Sequence, residues 1–372
     1  SLKNYPDPWE LLVNHGADSL RYYLLTSPIV EAEALNFSEK DLQTVTRTFL
    51  NLYWNIVSFY KTYAGEGVKL QKPRSGHVMD RWILSRLSHL TTQVTESMDA
   101  YDLLKAARPL RDFIDDLSTW WLRRSRDRLK SENDYERNDA LKTLREVLEE
   151  FTKLCAPFIP FLAEKVYQEI GGMKTSVHLE AWPKPIARVQ DTALEADMQW
   201  IRSIASTALE LRVKHAMPIR QALASLKISF AEPEKLEYWQ AKKALLEVLR
   251  EELNVEAIAL EGKSGLLNAW ELELDTVLTP DLRKKGYRRE FSRHVMALRK
   301  QAGLEPKDRA HVLFFFPAGE TREAILEGNG SLAKDLRAES VNLVENWVSE
   351  YEHTSDIEVG EAKGKVALKV VR

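Results

Sequence analysis

The sequence predicts a mainly α protein: an antiparallel helical bundle followed by a smaller α/β (α+β) domain. Three observations lead there. Four apolar stripes with helical steps of three and four run through residues 38–151. Beyond a proline-containing segment at 182–190, the pattern changes to short strand-like runs interleaved with helical ones. The length of 372 residues is enough for two or three domains.

The bundle is read element by element. Asp7 is an N-cap, Pro8 takes the first helical position and Glu10 completes a capping box. Gly16 ends that short helix, and Asp18 is expected to cap the next, SLRYYLLTS. From Ser38 a long helix carries Leu42, Val45, Phe49, Leu52, Ile56, Phe59 and Tyr63. A second stripe runs Ile83, Leu87, Leu90, Val94, Met98; a third, after Tyr101-Asp102, runs Leu103, Leu110, Phe113, Ile114, Leu117, Trp121. Leu141, Leu144, Val147, Leu148 and Phe151 form a fourth. None of these faces can be buried alone, so the helices must pack on one another. Pro157 and Pro160 kink or restart the helix after Cys155, and Gly171-Gly172 stops it.

Residues 182–190, WPKPIARVQ, lack periodicity and read as a linker. A helix over about 191–215 then leads to Pro218. Strands are expected at Ala224–Phe230, Val255–Leu260, Leu272–Leu278, His311–Phe316 and Val366–Val371, with helices at 235–252, 281–302 and 332–349. No internal repeat stands out.

Composition narrows the function. With 44% hydrophobic and 29% charged residues the chain is globular, and no apolar run approaches the roughly 18 residues of a membrane span. The opening SLKNYPDPWE has no apolar core of a signal peptide, and its lack of an initiating Met suggests a piece of a longer chain. The single Cys155 rules out an internal disulfide and a Cys-rich zinc site; a reducing, cytoplasmic setting is expected. Net charge is −3, but residues 120–130 hold +4 and residues 281–300 hold +6, leaving −13 on the rest. Two basic islands on an acidic chain suggest a local polyanion contact.

A self-contained active site is missing from the pattern. The eight histidines form no HExxH, and no G-x-S-x-G, P-loop or dinucleotide-binding glycine pattern occurs. No catalytic residue and no metal ligand is therefore assigned. Cys155, between Leu154 and Ala156, reads as a packed core thiol. The most informative stretch is Leu117 to Arg128. Leu110, Ile114, Leu117 and Trp121 share the face that should enter the bundle, Trp120 lies at its edge, and Arg123, Arg124, Arg126 and Arg128 spread over the rest. Arginines can grip phosphates bidentately and a tryptophan can stack on an unpaired base. The competing reading is a solvated face whose arginines pair with Asp112, Asp115, Asp116 and Glu132. The same two readings apply to Arg288, Arg289, Arg293 and Arg299 around the Phe291, Val295, Leu298 stripe. Asp281 is expected as that helix's N-cap and Glu290 as a surface ion-pair partner.

These residues, in order, resemble class I isoleucyl-tRNA synthetases. Ser1 looks like the last residue of their KMSKS signature, and Lys3-Asn4-Tyr5-Pro6-Asp7-Pro8 is similar to the continuation. Gly16-Ala17-Asp18-Ser19-Leu20-Arg21 looks like the G-A-D-A-L-R helix, with Ser in place of Ala. Tyr101-Asp-Leu, Asp116 to Arg126, Cys155 to Glu164, Ser176 to Pro183, Arg220-Gln-Ala-Leu, Glu252-Leu-Asn254-Val, Leu274 to Pro280 and Leu298 to Leu304 follow in the family's order. The resemblance covers essentially the whole chain. It implies a stem segment at 1–37, a helical anticodon-binding domain at 38–181, the linker at 182–190, and a helix plus C-terminal junction domain at 191–372. It further implies a tRNA-binding part without the catalytic domain, which would lie upstream in the same polypeptide. ATP with magnesium would serve the full-length enzyme, this part holding no cofactor, and the partner would be an isoleucine-accepting tRNA. Many bacterial members of the family carry a Cys-rich zinc site near the C-terminus; the absence of cysteines after Cys155, with the KNYPDP wording, points to the eukaryote-like/archaeal-like branch and to no bound metal. A valyl- or leucyl-type relative, a free-standing RNA-binding module and a protein-interaction scaffold remain the alternatives.

Overall fold

The computed structural model describes residues 7–64, 76–131, 133–305, 308–347 and 351–371. Ser1 to Pro6, expected to follow from the KMSKS signature, and Glu132 lie outside them. The chain divides into two compact units, Ser1–Gln199 and Trp200–Arg372.

The first unit is helical: α1 (Pro8–His15), α2 (Ala17–Leu25), α3 (Glu39–Val45), α4 (Asn51–Ala64), α5 (Val78–Asp99), α6 (Leu103–Asp115), α7 (Arg123–Leu129), α8 (Asp134–Cys155), α9 (Pro160–Glu169) and the start of α10 (Thr192–Lys214). Local chemistry explains most starts. Side chains of Asp7, Ser38, His77, Asp102 and Asn133 accept the free amides of Trp9, Asp41, Met79, Lys105 and Tyr135. Pro160 opens α9, as its fixed φ and missing N–H favour. Asp18 does not cap its own helix. It is buried, and its Oδ2 accepts the Leu162 amide 2.6 Å away, so it caps α9 from a distance in sequence.

Two π-helical turns, Thr46–Leu50 and Asp116–Leu122, are not legible in the stripes. The first joins α3 to α4. A wider turn inserts about one residue, so the buried face steps from Leu42, Val45 and Phe49 to Tyr53, Ile56, Val57 and Tyr60, leaving the expected Leu52, Phe59 and Tyr63 half-buried. The core is aromatic: Phe113 stacks on Phe151 at 5.1 Å, Tyr53 meets Phe151 edge-on at 5.2 Å, and Tyr22 donates to the Ala107 carbonyl. Residues 182–191 run against α5, with Trp182 Nε1 donating to Thr95 and the amides of Ile186 and Asp191 donating to Ser88 and Ser85.

The second unit holds the rest of α10, then β1 (Leu223–Phe230), α11 (Pro233–Gln240), α12 (Lys243–Leu253), β2 (Val255–Gly262), β3 (Trp270–Leu274), α13 (Pro280–Gln301), β4 (Ala310–Phe315), α14 (Glu320–Glu327), α15 (Asn329–Asp335), β5 (Ala338–Leu343), β6 (His353–Val359) and β7 (Ala362–Val370). One sheet has the order β2-β1-β3, the other β5-β4-β7-β6. In each, the central strand pairs in parallel with the strand that follows two helices, and antiparallel with a later one. The expected helix at 332–349 is corrected: it ends at Asp335, Arg337 takes φ 51°, and β5 follows. Strands β5 and β6 are additions to the expected set. Thr279, not Asp281, caps α13 by accepting the Leu282 amide.

The sheets belong to a repeated module that the sequence hides. Helix α13 ends 87 positions after α10, and α14 starts and ends 87 positions after α11. Part of the bonding repeats at the same offset. Met217 N bonds to the Arg212 carbonyl and Leu304 N to the Arg299 carbonyl, across Ala216 (φ 53°) and Gly303 (φ 70°). Buried Arg212 donates to the Gln221 carbonyl, and buried Arg299 to the Asp308 carbonyl. Burial lowers both guanidinium pKa values, Arg212 to about 10.

Candidate nucleic-acid interface

Helix α6, the second π turn and α7 form one continuous rod. Along it Leu110, Ile114, Leu117 and Trp121 are fully buried, as the stripe predicts. Past the π turn the buried positions step by four, through Trp121, Ser125 and Leu129. That drift settles which arginines face inward.

Arg128 turns in. Asp80, near the start of α5, is completely buried. Its Oδ1 accepts Trp121 Nε1 at 2.8 Å and Arg128 Nη1 at 3.0 Å, and its Oδ2 accepts Arg128 Nη2 at 2.7 Å. This planar fork satisfies a carboxylate that burial would otherwise penalise. Trp121 therefore has no ring face open to a base, and Arg128 is committed to the scaffold. Both leave the set of RNA contacts expected from sequence. Asp116, offered as a partner for those arginines, accepts Arg86 Nε at 3.1 Å.

Arg123, Arg126 and Lys130 are exposed, and Trp120 and Arg124 are half-buried beside them. Arg126 and Lys130 carry no ion-pair partner among the described residues. Just beyond, on the first turn of α8, Tyr135 stands 78% exposed. Sequence reading passes over it; the available signal is an aromatic two residues after the Asn133 cap in an otherwise polar run. Two further arrangements hold the corner. His77 Nδ1 accepts the Met79 amide at the start of α5, and burial, then Arg128, lower its pKa against the opposing pull of Asp80, Asp139 and Glu136. Arg86 also reaches Glu195 at 3.3 Å, while Ser85 Oγ donates to the same carboxylate. The face can bind phosphate and stack bases. Among the described residues it lacks a nucleophile–base pair, and no three His, Cys, Asp or Glu side chains gather as a metal site.

The second basic island is also divided by its contacts. Arg288 donates to the Ala324 carbonyl and reaches Glu327, and Arg299 is buried. Arg289 and Arg293 are exposed. Arg220, which sequence reading quotes only as part of a family motif, joins them: Glu290 lies 3.1 Å from Arg220 and 3.7 Å from Arg293, and accepts the Gly360 amide. Glu290 is thus the ion-pair partner expected.

Comparison with known proteins follows this geometry. Residues 80–228 match the anticodon-binding domain of tRNA ligase. The chain is 38% identical to the isoleucine–tRNA ligase of Protochlamydia amoebophila (strain UWE25), over 70% of this chain and 25% of that protein. It is 32% identical to that of Dehalococcoides mccartyi (90% and 34%) and 28% identical to that of Treponema denticola (99% and 42%). The chain spans between a quarter and less than half of the length of these relatives. Among the described residues, no helix is long and apolar enough to cross a membrane.

Proposed function

Because the chain belongs to the isoleucine–tRNA ligase family and carries its anticodon-binding domain, we propose that the helical unit grips the anticodon arm of an isoleucine-accepting tRNA through the exposed face of α7. One observation carries the reading. Within the matched domain, Arg123, Arg126 and Lys130 are presented outward on a helix that the Asp80–Arg128–Trp121 cluster ties to α5. Phosphate contacts of this kind set register, while Trp120 and Tyr135 offer aromatic surface to unpaired bases. Arg220, Arg289 and Arg293 are the second candidate contact, the site if α7 is not. Isoleucine activation with ATP and magnesium belongs to a catalytic domain elsewhere in a cytoplasmic parent enzyme, and this part positions the tRNA for it.

The test is a salt titration of tRNA affinity. Three phosphate contacts at about −0.7 each give a log–log slope near −2. Replacing Arg123, Arg126 and Lys130 with Ala should flatten it while the thermal melt stays normal; an unchanged slope would move the site to the Arg220, Arg289, Arg293 patch. Base reading adds specificity, so isoleucine tRNA should bind at least about tenfold tighter than valine tRNA in matched salt, from about 1–3 kcal/mol per base contact. Equal affinities would reduce the role to docking of the stem.

A further inference from the structure

The repeated module exposes a difference between its two copies. In the second, β7 returns beside β4 and is itself covered by β6, and Val366 and Leu368 are buried. In the first, β3 returns beside β1 in the same way, but no strand covers it among the described residues. Through their pairings, Leu272 and Leu274 stand opposite Ile228 and Leu226 as Val366 and Leu368 stand opposite Phe314 and Val312. Yet Leu272 and Leu274 are only half-buried.

The free edge has its hydrogen-bonding groups aimed outward. Asp275 N bonds to the Ser225 carbonyl and Ala231 N to the Ala269 carbonyl. Antiparallel alternation then puts Glu271 and Glu273 in the pairs bonded to β1, and turns the backbone N–H and C=O of Trp270, Leu272 and Leu274 away from it. Such an edge is a template for an added strand.

We propose that the outer edge of β3 binds an extended segment of a partner protein in which apolar residues alternate with Lys or Arg. The apolar set would lie beside Trp270, Leu272 and Leu274, completing the burial that β6 completes in the other module. The basic set would lie beside Glu271 and Glu273, which are more than half exposed although each already meets one lysine, Lys263 and Lys227. The second module carries the same logic with the signs exchanged: Asp356 and Glu358 of β6 stand opposite Lys365 and Lys363 of β7. A second copy of this chain is disfavoured as the occupant, because antiparallel self-pairing sets glutamates against glutamates.

The experiment is amide hydrogen exchange on the whole chain with two capped peptides, one alternating Lys and Val, the other alternating Glu and Val. At about 1 mM the Lys–Val peptide should slow exchange at Leu272 and Leu274 roughly tenfold, and the Glu–Val peptide should not. In the double variant Glu271→Lys/Glu273→Lys the preference should reverse. Equal protection by both peptides, protection by neither, or protection that grows with protein concentration alone would each overturn the proposal. None of these outcomes depends on whether the chain binds RNA.

Discussion

Replacing Asp80 with Ala tests whether the inward arginine is scaffold. The carboxylate is fully buried and accepts three hydrogen bonds, two from Arg128 and one from Trp121. Its loss leaves a guanidinium, itself only 15% exposed, without its counter-charge, and an indole N–H without an acceptor. Removing one member of a buried ion pair costs about 3–5 kcal/mol, within which the orphaned indole accounts for about 1–3. For a unit of this size that lowers the melting temperature by roughly 6–20 °C, at about 2–4 °C per kcal/mol. The assay is urea denaturation followed by far-ultraviolet circular dichroism, which reports the helices. Asp80→Ala/Arg128→Met removes both charges and should lose less than Asp80→Ala alone, with a coupling of about 0.5–3 kcal/mol. Arg128→Met should leave the salt slope of tRNA binding unchanged. A cost below about 1 kcal/mol for Asp80→Ala, or a slope that falls by about 0.7 in Arg128→Met with its stability intact, would refute the assignment and return Arg128 to the RNA.

Three other outcomes follow from single side chains. His77 is held neutral by burial and Arg128, so its folded-state pKa lies below its unfolded one; stability should fall as pH drops below about 6.5, and His77→Asn should remove that part of the pH dependence in urea titrations at pH 5–8. Burial raises the Asp18 pKa despite the Leu162 and Phe161 amides and Arg21, so its favourable contribution is present below about pH 3.9 and is lost as pH rises through the folded value. Asp18→Asn, which can still accept the Leu162 amide, should therefore match the parent's unfolding free energy in urea at neutral pH or exceed it by about 0.5–1 kcal/mol, and a loss above about 1 kcal/mol would contradict this. Cys155 is fully buried and its thiol pKa is pushed well up, so it should resist a bulky thiol reagent until the first unit unfolds, as mass spectrometry along a urea series would show.

Much of this protein is written in short-range pattern. Caps such as Asp7, Ser38 and Asn133 act on amides two or three residues away, and the stripes at 83–94 and 141–151 need only the helical period to declare the buried face. The helical bundle, the following α/β domain and the outward, basic character of α7 are therefore legible in the amino-acid sequence by itself. The family is legible too, because its motifs are ordered strings of residues.

Long-range pairing decides the rest. Arg126 and Arg128 are alike in sequence and two positions apart. Only Asp80, 48 residues upstream of Arg128, turns one inward as a scaffold residue, while the other stays exposed. The π turns are invisible in the sequence because an extra residue in a turn leaves no mark on composition, while the packing it permits involves helices far apart in the chain. Residues 332–349 split into α15 and β5 because pairing with β4 outweighs a locally plausible helical period. The duplicated module is hidden for the same reason: what recurs every 87 residues is the bonding of Arg212 and Arg299 to loop carbonyls, and a backbone carbonyl can be presented by any residue type.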